Sequence, residues 1–213
     1  MLHFEERPAA GEPNGLLVLH HGRGTSEQDL LPLADVLDPE RALHVVAPRA
    51  PLQFPGAPGF HWYVVPRVGY PDPETFDASY RALAELHDEL WQRTGLGPDR
   101  TVLGGFSMGT VMSYALALGH GRPAPTGVLA FSGFIPTVEG WQPDFAGRAG
   151  VTRFLVSHGR YDPVIRVEFG RGAVEALRAA SLEVDYRESD AAHNIDPADV
   201  PRATSWLANV LTS

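Results

Sequence analysis

The chain has 213 residues, 44% hydrophobic and 20% charged, and a formal charge of −9. One domain spanning 1–213 is expected from that length, and the acidic balance argues against nucleic acid or an anionic membrane surface as main partner, since both need a basic face. With no cysteine, and with all 17 basic residues arginine, the chain has no thiolate nucleophile, disulfide, cysteine-ligated zinc, Walker lysine, Schiff base or Ser-Lys dyad.

In chain order, "MLHFEERP" places Glu5 and Glu6 where a secretory signal would be basic and then apolar. No stretch reaches the roughly 18 apolar residues of a membrane span. A cytoplasmic protein is expected. "LLVLHH" (16–21) reads as the first strand and ends on His20, His21, Gly22, Arg23 and Gly24. "SEQDLLPLADVL" reads as a helix with Ser26 as N-cap, and "ALHVVAP" (42–48) as a second strand. The Pro/Gly-rich segment 47–73 has no clear period, and its aromatic residues favour an ordered loop that lines a site.

"DPETFDASYRALAELHDELWQRTG" then brings Phe76, Tyr80, Leu83, Leu86, Leu90 and Trp91 largely to one side of a helix. "TVLGGF" (101–106) is a third strand, and "MGTVMSYALALG" a helix directly after Ser107. "GVLAFSG" (127–133), "RFLVSHG" (153–159) and "LEVDYRE" (182–188) are further strands. "VEFGRGAVEALRAA" and "DVPRATSWLANVLT" are the last two helices. The alternation predicts an α/β fold with a mostly parallel central sheet and helices on both faces. The connection 132–152 is too short for an inserted cap domain, so an open cleft is expected.

In such sheets the chemistry gathers at the carboxyl ends of the strands. There the sequence places Ser107, inside Gly105-x-Ser107-x-Gly109, then Asp162, then His193. A Gly-x-Ser-x-Gly stretch between strand and helix is the pattern of a nucleophile elbow, and Ser, Asp, His is the chain order of a hydrolase triad. Serine needs an imidazole to take its proton, and the imidazole needs a carboxylate to hold its tautomer. The N–H groups of Met108, at a helix amino end, and of Arg23, in the glycine-flanked loop after the first strand, are candidate oxyanion donors.

The competing readings are weaker. Ser132 in "FSG" follows a strand, but only Gly133 accompanies it. Asp190 and Asp196 neighbour His193 on its own loop, and His158 reads as structural. The adjacent His20 and His21 point to opposite faces and cannot share one metal ion. They read as loop scaffolding. Arg23 reads as solvated rather than as the receptor of an acidic head group.

"LHHGRGTSEQDL", "GGFSMGTVMSYALAL", "SHGRYDPVI" and "AHNI" together resemble successive motifs of the phospholipase/carboxylesterase family of α/β-hydrolases, which includes acyl-protein thioesterases. The resemblance implies a serine hydrolase of carboxylic esters or thioesters with small-molecule substrates and neither cofactor nor metal. Ser107, Asp162 and His193 would form the triad. Relatives often carry Gln after the nucleophile, where this chain has Met108. They often carry Trp-Phe-Asp in the long loop, where it has Trp62, Tyr63 and Val64. Trp62 is then expected to wall the acyl site, with Tyr63 and Gly22 also at the substrate. Two other readings are a hydrolase-fold protein that binds a ligand or partner without turnover, and a small-peptide amidase. Homodimer formation is left open.

Overall fold

Each apolar run sends alternate side chains to opposite sides of a sheet, and this period of two decides the architecture. The computed structural model describes residues 2–212. The sheet strands are β1 (Phe4–Arg7), β2 (Gly15–His20), β3 (Leu43–Pro48), β6 (Thr101–Phe106), β7 (Gly127–Phe131), β8 (Arg153–Gly159) and β9 (Glu183–Ser189). β4 (Leu52–Gln53) and β5 (Phe60–His61) form a small antiparallel pair inside the long loop. The helices are α1 (Leu31–Leu37), α2 (Pro73–Thr94), α3 (Met108–Leu118), α4 (Val167–Ala179) and α5 (Val200–Thr212).

The sheet order is β1-β3-β2-β6-β7-β8-β9, with every pair parallel except β1 against β3. Leu16, Val18, Leu103, Val128 and Phe154 face one side, where α2, α3 and α4 cover them. Their strand neighbours Leu17, Leu19, Val102, Leu129 and Leu155 face the other side, against α1 and α5. This is the α/β-hydrolase arrangement that the resemblance implied. The 132–152 connection adds only a 3₁₀ turn at Ala146–Arg148 and no cap.

The chain steps outward from β2 to β3 and then returns to β6 on the other side of β2. The loops after β2 and β6 therefore part in opposite directions and open a crevice at the carboxyl ends of the strands. α3 begins at that crevice and is buried along its whole length. Its C-terminal carbonyls would be orphans in the core. The buried Arg148 reaches them, donating to the carbonyls of Ala117 and Gly119.

Two expectations change. β1 was not expected. The helix predicted from Ser26 starts only at Leu31, with Pro32 in its first turn. A helix begun at Ser26 would bury Pro32 in its interior, where the ring removes a hydrogen bond and collides with the preceding turn. Ser26 instead closes a turn, its carbonyl accepting from the Asp29 N–H at 3.0 Å.

Candidate active site

β6 ends at Phe106 and α3 starts at Met108, which leaves Ser107 alone in the turn at φ 56°, ψ −119°. That conformation costs an L residue about 1–3 kcal/mol and persists only where the surroundings over-determine it. Here they do. A Cβ on Gly105 would lie 2.5 Å from the backbone of Gly109 and Thr110, across the turn. On Gly109 it would lie 1.9 Å from the carbonyl oxygen of His20, so this glycine seats α3 on the end of β2. The Ser107 N–H donates to Phe131 at 3.0 Å, and the Thr110 hydroxyl lies within 2.6 and 2.7 Å of the Gly105 and Phe131 carbonyls.

Asp162 follows β8 and His193 follows β9, adjacent parallel strands in register to their last pair, Gly159 opposite Ser189. Gly159 lets the two loops close on each other. A Cβ there would lie 2.2 Å from the Ala192 carbonyl oxygen. Asp162 is buried, and its Oδ1 accepts from the N–H groups of Val164 and Ile165 at 2.8 and 2.9 Å. Its Oδ2 lies 2.7 Å from His193 Nδ1, and His193 Nε2 lies 2.9 Å from Ser107 Oγ. A carboxylate only accepts, so Nδ1 carries the proton and Nε2 is free to accept from the serine hydroxyl. The Phe106 ring, 4.9 Å from the imidazole, supports it from one side.

The neighbouring histidines are arranged differently. His158 Nε2 donates to the Ile165 carbonyl at 2.7 Å, and burial pushes its pKa below the usual value. It therefore stands neutral 3.6 Å from Asp162 and leaves the carboxylate charge to His193. His21 Nε2 accepts from the Ala50 N–H at 3.0 Å while Nδ1 donates to the Gly22 carbonyl at 2.7 Å, which ties the loop after β2 to the end of β3. His20 sits in the core with its Nδ1 2.8 Å from Ser113 Oγ. Of the rival carboxylates, Asp190 pairs with Arg160, and Asp196 caps a 3₁₀ turn through the Ala198 N–H at 2.9 Å.

The loop after β2 is fixed by the long loop. Gly24 donates to Phe60 and Phe60 to Thr25, both at 2.8 Å, so the two loops pair as a short antiparallel ladder. Among the described residues, the backbone N–H groups of Arg23 and Met108 have no hydrogen-bond partner. A cleft of about 340 Å³ opens above Ser107 and His193. Arg23, Met108 and Tyr63 line it, while Gly22 lies beneath Ser107, where a Cβ would sit 3.6 Å from the serine Cβ.

Trp62 is elsewhere. It is fully buried behind the site, its indole N–H donating to the His21 carbonyl at 2.9 Å, and it does not line the cleft. In the bend after β5 its neighbour Tyr63 lines the cleft instead. Phe54, Arg67 and Tyr70 from the long loop also line it, as do Phe134 and Ile165 from the segments after β7 and β8. The strand-end rule points to the last two when it is followed three residues past β7 and six past β8.

The sequence profile of a family described as phospholipase/carboxylesterase matches residues 5–211. The putative hydrolase MhqD of Bacillus subtilis strain 168 is 25% identical over 211 residues, 99% of this chain and 100% of that protein. Acyl-protein thioesterase 1 of Debaryomyces hansenii is 28% identical over 182 residues, covering 80% of this chain and 77% of its own. Among solved structures, esterase PE8 superposes with a TM-score of 0.84 at 28% identity, over 98% of this chain and 99% of that one.

Proposed function

Since the chain belongs to the phospholipase/carboxylesterase family, we propose that it is a serine hydrolase cleaving carboxylic esters or thioesters of small to medium acyl groups through an acyl-enzyme. The observation that carries this reading is the unbroken relay from Ser107 Oγ through His193 to Asp162, at 2.9 and 2.7 Å.

Ser107 attacks the acyl carbon as His193 Nε2 takes its proton, and Asp162 stabilises the imidazolium that forms. The carbonyl oxygen becomes an oxyanion, for which the N–H groups of Met108 and Arg23 are the donors. The helix dipole of α3 adds to the first. His193 returns its proton to the departing alcohol or thiol, and the acyl group stays on Ser107. Water then attacks the acyl carbon as it gives a proton to His193, and the acyl–Oγ bond breaks as His193 returns that proton to Ser107, releasing the acid. The side chain at 108 need not take part, so methionine serves there. The cleft of about 340 Å³, with Phe54, Val65, Phe134 and Ile165 in its walls, matches acyl chains of modest size.

Hydrolysis of a p-nitrophenyl ester series and of an acyl-thioester tests the reading. Turnover by the wild type that Ser107→Ala abolishes supports it, and the chain-length optimum measures the pocket. A wild type inert on every ester and thioester would overturn it.

A further inference from the structure

Among the residues lining the cleft there is no aspartate or glutamate, yet there are two arginines, Arg23 and Arg67. That is unusual within a chain of charge −9. Most of its arginines lie against a carboxylate, as Arg7 does with Asp38 and Arg171 with Glu188. Arg41 and Arg100 donate to backbone carbonyls instead. Among the described residues, Arg23 and Arg67 do neither. Arg166 and Arg178 share that condition, the former directly after the wall residue Ile165.

Both cleft arginines are held in place without being neutralised. The Arg23 guanidinium lies over the Phe54 ring, 4.8 Å from its centroid, and the Phe54 ring packs at a 30° tilt against His61, 4.3 Å between centroids. Burial first, and then the Arg23 charge, lower the His61 pKa, so the cluster carries the charge of the arginine alone. The Arg67 guanidinium lies 3.6 Å from the centroid of Tyr70. A turn closes that pair, with Tyr70 N–H donating to the Arg67 carbonyl at 2.9 Å and Gly69 at φ 88° backed by the Phe169 ring. A guanidinium that lies over a ring and pairs with no carboxylate or carbonyl keeps its N–H donors free, and those donors match the oxygens of an anion.

We propose that the cleft selects esters or thioesters carrying an anionic oxygen group such as a carboxylate, with the Arg23 and Arg67 guanidinium groups as its receptors. This rests on the hydrolase reading of the same site and names its substrate class. The apolar walls take the carbon chain, and the arginines take the charged end. A cationic cleft on an acidic protein also concentrates such substrates, an effect that salt screens.

The test compares matched substrates that differ by one carboxylate on either side of the scissile bond. On the acyl side, the mono-p-nitrophenyl ester of glutaric acid is set against p-nitrophenyl butyrate. On the leaving-group side, 4-carboxyphenyl butyrate is set against phenyl butyrate. In at least one pair the wild type favours the carboxylate in kcat/KM by about tenfold or more. That ratio falls towards one in Arg67→Gln, in Arg23→Gln and in about 0.5 M NaCl. It is unchanged in Arg178→Gln, remote on α4. Ratios at or below one in both pairs, or ratios that survive both cleft substitutions, overturn the proposal while the neutral esters still turn over. Failure to hydrolyse neutral and charged esters alike would remove the hydrolase reading itself.

Discussion

Ser107 and Ser132 occupy equivalent places at the ends of neighbouring strands, and both have left-handed backbones, at φ 56° and φ 51°. Each follows a phenylalanine that closes its strand, and each N–H is tied to the next strand, Ser107 to Phe131 and Ser132 to Ser157. Only Ser107 opens a helix, and only Ser107 has an imidazole on its hydroxyl. A strained serine at a strand end therefore does not by itself have the surroundings of a nucleophile. On the proposed mechanism the difference lies in the helix that supplies unpaired N–H groups and in the imidazole placed to accept a proton.

The largest expected effect separates the two serines. Ser107→Ala lowers kcat by about 10⁴-fold or more, the scale of losing a triad member. Asp162→Asn follows at about 10⁴-fold, because an amide in place of the Oδ2 acceptor favours the wrong tautomer of His193. Steady-state kinetics with folding checked by circular dichroism measures both. Their neighbouring glycines are both tightly enclosed. Gly109→Ala forces a methyl against the His20 backbone carbonyl and costs roughly 3 kcal/mol in denaturant unfolding. Gly133→Ala sets a methyl 2.4 Å from Cβ and Cγ2 of the buried Thr110, whose hydroxyl is tied to two carbonyls, and costs a comparable amount. A cost near zero at either position would mean that its turn has room to spare.

The histidines sharpen the contrast further. His193 has partners on both nitrogens, whereas His20 and His87 stack at 5.5 Å in the core with each Nε2 unpartnered among the described residues. Burial lowers both pKa values, that of His87 to about 3. The folded state then refuses protons that the unfolded state takes up below pH 6.5 or so, so stability is full above that pH and falls below it, for His87 down to about pH 3. There His87 contributes a slope of about 1.4 kcal/mol per pH unit, and His20 adds to it in the same direction. Chemical denaturation between pH 7 and 5 measures it, and His87→Leu removes one slope. The smallest effect belongs to Ser132→Ala, whose kcat/KM stays within about twofold of wild type.

Most of the sheet and the meeting of Ser107, Asp162 and His193 were legible because both depend on short-range patterns: apolar runs, strand-end residues and the glycines around Ser107. β1 was not. Three of the four residues of its "FEER" are charged, and its partner β3 lies some forty residues on. The fate of Trp62 was also hidden, since Trp62 and Tyr63 lie in an irregular bend after β5 where no period says which of them faces the cleft. Arg148 capping α3 and His87 stacking on His20 join residues far apart in the chain, with no local signal in either. The free edges of Arg23 and Arg67 become visible only once every other arginine near a carboxylate has been placed.

Mapping a fluorophosphonate adduct by peptide mass spectrometry tests the central contrast most directly. The account predicts a single adduct on Ser107, absent from Ser107→Ala and undiminished in Ser132→Ala. An adduct on Ser132, or an unlabelled wild type, would contradict it.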